Sequence, residues 1–201
     1  MKNKLFHICI IIYIIVISPR LLMSQDIGFD QLINKNNLYC IMEKGVPFTG
    51  TATAKYKNGQ LKEEMNIKDG KLNGSWIRWY ENGQKEFEKQ YNHNQPAGIW
   101  QSWYENGQQK FEINYLTNPG TEIHWYESGT KKIEGYYKGG EKDSIWYWYY
   151  ENGNMRAKGE FNEGMKTGVW SGWHEGGESQ FTRFYSNDQA VGKWMEWHPN
   201  G

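Results

Sequence analysis

A turn glycine returns along this chain at an almost constant interval. Gly59, Gly83, Gly107, Gly129, Gly153, Gly177 and Gly201 are spaced 24, 24, 22, 24, 24 and 24 residues apart. A fixed period of roughly 20–50 residues specifies a repeat architecture, in which each unit buries its apolar face only against its neighbours. The sequence around each glycine repeats as well. Gly74-Ser75-Trp76-Ile77-Arg78-Trp79-Tyr80-Glu81-Asn82-Gly83 returns at 98–107, 168–177 and 192–201, with His174 and His198 in the tyrosine position. Looser copies occupy 120–129 and 144–153, and the earliest, 50–59, keeps Tyr56, Asn58 and Gly59 without a tryptophan.

Composition agrees with this pattern. The 201 residues include 11 Trp, 14 Tyr and 23 Gly, and ten of the tryptophans fall in two repeat positions, leaving Trp148 outside. An aromatic content of 16% is too high for a solvated coil, and 38% hydrophobic residues suffice for a core. Lys+Arg and Asp+Glu balance at 23 each, so the basic footprint of a nucleic-acid binder is missing.

Residues 1–24 read as a secretory signal peptide: Lys2 and Lys4 precede an apolar run from Leu5 to Ile17, and Ser24 offers a small residue before Gln25. The run is shorter than the roughly 17–25 residues needed to cross a bilayer, so no transmembrane helix is expected after cleavage. An uncleaved anchor is the alternative. Without 1–24 the chain loses three bases and no acids, giving 20 basic and 23 acidic residues and a net charge of −3. Cys40 is then the one cysteine left, which excludes an intrachain disulfide. It reads as a small buried apolar residue rather than a nucleophile. Residues 25–49 form a lead-in segment, in which a short helix over 26–38 would fit, and 50–201 carry the repeats.

Each unit reads as a β-hairpin. Asn-Gly in a two-residue loop predicts a type I′ turn with positive φ at both central residues. That register pairs Tyr80 with Lys85, Arg78 with Phe87 and Trp76 with Lys89. A second loop, such as Asn92 to Ala97, leads to the next unit. The 22-residue interval falls where Asn118-Pro119 shortens this second loop by two residues, as deletions belong in loops. The fold expected is therefore all-β: an elongated single-layer antiparallel sheet of six to seven tandem hairpins.

Alternation along the strands assigns two faces. A core face gathers Trp76, Tyr80, Phe87, Tyr91, Trp100, Phe111, Tyr115, Tyr137, Phe161, Trp170, Phe181 and Tyr185, as two continuous apolar lines. The opposite face carries Trp79, Trp103, Trp125, Tyr149, Trp173 and Trp197, one rung per repeat about 10 Å apart. This ladder is a candidate binding strip. Alternatively, its indoles fill space between repeats or beneath a curled sheet, and a bulge could bring both tryptophans to one face.

The Trp-Tyr-Glu-Asn-Gly unit with a period near 23 resembles the MORN-repeat variant family, whose bacterial members include YwqK-type antitoxin-like proteins. Val46-Pro47-Phe48-Thr49-Gly50 resembles the segment that opens the first repeat in such proteins, and the resemblance covers about 37–201. It implies an elongated hairpin array with a scaffolding or binding role, and it supplies no catalytic residues.

The residues themselves offer little chemistry. Glu81, Glu105, Glu127, Glu151 and Glu175 precede the turns, as solvated flanks or as an acidic rim for a cationic partner. Groups repeated for geometry lack the unique convergence of an active site. His93, His124, His174 and His198 show no ligand spacing, and Gly139-Gly140 and Gly176-Gly177 belong to turns. No metal, cofactor or enzymatic activity is expected. The leading expectation is an exported module that binds a protein partner in the cell envelope or as an immunity-like protein, without nucleic acid. A second reading is glycan or choline-type binding through the aromatic ladder, since Trp146-Tyr147-Trp148-Tyr149-Tyr150 is similar to the hairpins of cell-wall and choline-binding repeats. The last strand has no returning partner in the sequence, so its edge is a candidate for self-association.

Overall fold

The computed structural model describes residues 25–198; the proposed signal peptide in 1–24 and the last turn at 199–201 lie outside the described residues. A 3-10 turn over Phe29–Gln31 is the only helical element among them. The lead-in folds into β1 (Gln25–Gly28) and a separate hairpin of β2 (Leu32–Lys35) and β3 (Leu38–Ile41). The array begins with β4 (Gly50–Lys55), β5 (Leu61–Lys68), β6 (Lys71–Trp79), β7 (Lys85–Asn92) and β8 (Gln95–Trp103). It continues through β9 (Gln109–Asn114), β10 (Gly120–Trp125), β11 (Lys131–Lys138) and β12 (Glu141–Tyr149). It ends with β13 (Met155–Asn162), β14 (Met165–Trp173), β15 (Ser179–Ser186) and β16 (Gln189–Glu196). Fourteen of these strands form one sheet in chain order, antiparallel throughout except where β1 adds parallel to β4.

The two ends of the strands turn differently, and the expected turn is at the other end from the Asn-Gly pairs. At the repeat glycine the Gly83 amide donates to the Tyr80 carbonyl at 3.0 Å, and the Tyr80 amide donates to the Gln84 carbonyl at 2.8 Å. Gly83 has φ 86° while Asn82 is not among the positive-φ residues. This is a type I turn closed by a glycine bulge rather than a type I′ turn. The Asn82 side chain explains the choice: its Oδ1 accepts the Gln84 amide at 2.9 Å, a local bond that fixes the loop. Trp79, not Tyr80, therefore pairs with Lys85, while Arg78–Phe87 and Trp76–Lys89 pair as read from the sequence. The same glycine geometry recurs with φ of 89°, 85°, 89°, 89° and 101° at Gly59, Gly107, Gly129, Gly153 and Gly177. Two consecutive positive φ values appear instead at Asp69-Gly70, His93-Asn94, Gly139-Gly140, Glu163-Gly164 and Asn187-Asp188, on the opposite edge.

A second bulge recurs where one repeat meets the next. The register shifts between Met65 and Ile67, Glu88 and Gln90, Glu134 and Tyr136, Lys158 and Glu160, and Thr182 and Phe184. A bulge leaves a carbonyl outside the ladder. At three of the five the first tryptophan of the following strand supplies the donor: Trp100 Nε1 to Gln90 O at 2.7 Å, Trp146 to Tyr136 at 3.2 Å and Trp170 to Glu160 at 3.3 Å. Those rings lie flat on the bulged backbone. A Cβ built on Gly135 or Gly159 would sit 2.1 Å from Trp146 or Trp170, so glycine there is a packing requirement.

The 22-residue interval has a different origin from a trimmed loop. β9 and β10 pair without a shift, and their last pair, Asn114–Thr121, leaves a wider connection than the two-residue turns elsewhere. The loss is taken from the strands and the bulge. Glu122 stands here in the first tryptophan position, so a bulge would have no indole to receive its carbonyl.

Burial is correspondingly discontinuous. One core, Ile27, Phe48, Ala52, Met65, Ile67 and Leu72, is roofed by the lead-in hairpin; a second gathers around Trp146, Phe161 and Trp170. Between them Tyr115, read from the sequence as core, is 41% exposed, because Trp100 covers it from one side and Glu122 leaves the other without an indole. Cys40 is buried in the lead-in hairpin. Trp148, the tryptophan outside the pattern, lies opposite Ala157 and stacks 5.4 Å from Trp170, filling space left by small residues.

Replacing Gly159 by Ala should lower stability by about 1–3 kcal/mol through overpacking against Trp170. A urea-unfolding midpoint indistinguishable from wild type would show that the ring does not rest on that backbone.

Candidate functional site

The core-face residues meet as ring pairs. Trp76 lies 5.4 Å from Phe87 and 6.1 Å from Tyr91, and Tyr91 lies 4.9 Å from Trp100. Trp170 packs with Phe161 at 5.1 Å and Tyr185 at 5.9 Å, and Tyr137 and Phe181 flank the same cluster. Phe111 contacts the His124 ring at 5.9 Å. Burial drives the Tyr91 hydroxyl up to about 12, with the neighbouring tyrosines adding to it, so the phenol stays a neutral donor. At the N-terminal end the buried Glu63 carboxylate accepts from Trp76 Nε1 at 2.6 Å and Arg78 Nη2 at 3.0 Å.

Tyr80 is not part of this core. Its hydroxyl donates to the Trp103 carbonyl at 2.9 Å, one repeat further on. The contact recurs from Tyr56 to Trp79 O, Tyr104 to Trp125 O, Tyr126 to Tyr149 O and Tyr150 to Trp173 O, at 2.7, 3.0, 2.9 and 2.9 Å. His174 Nε2 meets Trp197 O at 3.1 Å, so histidine fits this position because it also presents a ring N–H. These clasps pin each turn to the next repeat. The exposed turn asparagines reinforce them, with Asn82 Nδ2 donating to Glu105 O and Asn152 Nδ2 to Glu175 O. The repeated glutamates thus serve the array chiefly through their backbone, with the Glu81 side chain also accepting from Asn58 Nδ2 at 3.4 Å. The residue before the glutamate signalled this role only as a repeated aromatic.

The ladder rungs Trp79, Trp103, Trp125, Tyr149 and Trp173 are half-buried on the other face, and Trp197 is exposed. Tyr149 donates to Glu134 Oε1 at 2.5 Å; burial first, then this carboxylate, pushes its hydroxyl well above the ordinary phenol range. Lys158 Nζ sits 6.0 Å from the Trp173 ring centroid. Beside the rungs runs a row that sequence reasoning missed. Ile99, Ile145 and Val169, each one residue before a first-position tryptophan, are 37%, 43% and 48% exposed. Their signal was present: adjacent strand residues face opposite ways, so the neighbour of a buried tryptophan must face outward.

Among the described residues no group of histidine, cysteine, aspartate and glutamate has metal-binding proximity. His93 occupies a turn with φ 49°, and His124 Nε2 contacts Glu122 Oε1. No helix is long and apolar enough to cross a membrane among the described residues.

Clasped hairpins stacked into one sheet, with repeated rather than convergent polar groups, define a tandem-repeat binding module. The MORN repeat variant model matches residues 48–69, 72–93, 97–116, 119–138 and 142–163, more than half of the chain. The chain belongs to the MORN repeat variant family, whose repeats are generally non-catalytic binding modules. No curated protein matches it. The same strand geometry runs on past the last matched residue through β14, β15 and β16.

Substituting Tyr104 by Phe keeps the ring and removes one clasp, which should cost about 0.5–1.5 kcal/mol in thermal unfolding. An unchanged transition would mean that the Trp125 carbonyl gains nothing from the hydroxyl.

Proposed function

We propose that the chain is an exported interaction module that holds a protein partner in the cell envelope, the antitoxin or immunity-like role being one form of that activity. The observation that carries this reading is the exposed aliphatic row Ile99, Ile145 and Val169 alongside the Trp103, Tyr149 and Trp173 rungs. Ile145 and Val169 stand in adjacent repeats, with Ile99 two repeats earlier across Thr121, and exposed apolar surface of this kind is costly in water and marks a binding surface. Aromatic rings and aliphatic side chains on one face supply large contact area with little side-chain entropy to lose, the character of protein-interface anchors. The repeat geometry extends such a strip without any new local invention, as stacked repeats do in general. Export is supported by the Lys2, Lys4 and Leu5–Ile17 pattern. A net charge of −3 after cleavage disfavours nucleic acid and anionic lipid as the partner.

Affinity capture from an envelope extract, with the chain produced from its own leader, tests the reading. A defined protein should be retained by wild type and lost with Ile145→Asp combined with Val169→Asp, while thermal unfolding stays within about 0.5 kcal/mol because both sites are exposed. Retention of the same protein by the double variant would remove this strip as the interface. The recovered chain should begin at Gln25; a mass that includes Met1 would refute cleavage.

A further inference from the structure

The core face carries a nearly unbroken chain of rings with one vacancy. Trp76, Tyr91, Trp100 and Tyr115 follow one another at 6.1, 4.9 and 5.2 Å. Tyr137, Trp146, Phe161 and Trp170 resume the chain at 5.2, 6.1 and 5.1 Å. Between Tyr115 and Tyr137 the position that holds an indole in neighbouring repeats holds Glu122. The shortened β9–β10 hairpin also withdraws the strand ends that would close this place. The result is a cavity of about 640 Å³ walled by Pro96, Ile113, Tyr115, Tyr137 and Gly139, with Glu122 inside.

The rest of the ring chain already shows what such a place accepts. Lys89 Nζ lies 4.9 Å from the Trp100 centroid, Lys142 Nζ 4.2 Å from Trp146, Lys166 Nζ 4.6 Å from Trp170, and Arg183 5.4 Å from Trp194. Most of these rings, Trp76, Trp100, Trp146, Phe161 and Trp170 though not Tyr91, are matched by a cation from the chain itself. At the vacancy the sequence withholds it. Ile113 stands where the β6–β7 hairpin has Lys89, and Pro96 and Asn118 stand where later repeats have Lys142 and Lys166. Among the described residues no cation is placed over Tyr115 or Tyr137, and Lys142 is engaged on Trp146 and Phe161.

Glu122 is held as a carboxylate despite partial burial. Desolvation raises its carboxyl, but hydrogen bonds from His124 and Tyr137 and the nearby His124 and Lys142 outweigh it, leaving the carboxyl below its usual range. Burial and this same carboxylate push the Tyr137 hydroxyl up, so the phenol remains a donor and the ring remains neutral.

We propose that the Glu122 vacancy binds a small organic ammonium group, held between the Tyr115 and Tyr137 rings with its charge against the Glu122 carboxylate. A quaternary ammonium headgroup and an alkylammonium side chain share this chemistry. A bare metal ion is poorly served by a single carboxylate, and an anion meets the wrong sign. The cavity opens on the face opposite the Ile145 and Val169 strip, so this site and the partner surface stand or fall separately.

Isothermal titration of the full chain with choline and with Nα-acetyl-lysine methylamide tests the assignment, using neopentyl carbinol as the uncharged copy of choline. Saturable binding of either cation, at least about tenfold tighter than the uncharged copy, is expected from combined cation–π and charge contacts. Preference for choline assigns a headgroup; preference for the lysine amide assigns a side chain. Glu122→Gln should weaken binding by about tenfold or more, and Glu122→Trp, which restores the indole of the other repeats, should abolish it. The near-isosteric Gln variant decides the matter should the Trp variant misfold by circular dichroism. No saturable binding of either cation, equal binding of neopentyl carbinol, or undiminished binding by Glu122→Gln would overturn the proposal.

Discussion

The structure depends on an indole lying on a bulged strand. A single-layer sheet has no second layer to bury its rings, so the rings must find cover within the sheet. The recurrent bulge provides it by bending the strand and freeing a carbonyl, which Trp100, Trp146 and Trp170 each cap with their ring N–H. An uncapped buried carbonyl would cost about 1–3 kcal/mol, so at these three bulges the tryptophan stabilises the break in the ladder. The β9–β10 pair shows the converse, since Glu122 cannot donate as an indole does and the pairing there runs straight.

The two edges of the sheet divide the labour. Along one, type I turns with a glycine bulge project a tyrosine or histidine to the next repeat's backbone; along the other, tight two-residue turns with paired positive φ reverse the chain. Both edges interlock, the first by side chains reaching forward and the second by the Asn94, Gly164 and Asp188 amides donating back to the Leu72, Lys142 and Lys166 carbonyls beside the preceding turn. Cations over the clasping rings, such as Lys110 at 5.3 Å from Tyr104 and Lys132 at 5.2 Å from Tyr126, protect the first edge further. The lead-in hairpin closes the opposite end of the array, with Phe48 buried beneath it at 1% exposure.

Much of this was legible in the sequence because period and glycine spacing are direct records of geometry. The all-β hairpin array, the Arg78–Phe87 and Trp76–Lys89 pairs, and the family follow from the repeated motif. Turn type was misread because Asn-Gly satisfies two geometries, and the Asn82 side-chain bond that decides between them is a tertiary detail. Tyr80 was misassigned for the same reason: a bulge before it breaks the alternation on which face assignment rests. The short interval at Asn118-Pro119 looked like a loop deletion, whereas the strands absorb it, since register alone cannot tell a lost bulge from a lost loop residue. The outward placement of Ile99, Ile145 and Val169 follows from strand alternation once Trp100, Trp146 and Trp170 lie on the core face.

Two buried clusters separated by a thin, open hairpin have a mechanical meaning. In a linear array each unit is stabilised only by those adjoining it, so cooperativity passes from one end to the other through whatever lies between. Here it must pass through β9 and β10, six residues each, bridged by half-covered Trp100 and Phe111 and by the Tyr104 clasp on Trp125. The lead-in end and the Trp146 end can then open at different free energies, and one melting temperature would average two events. The departure from the 24-residue rhythm is thus also the place where the two ends of the array are least bound to one another's stability.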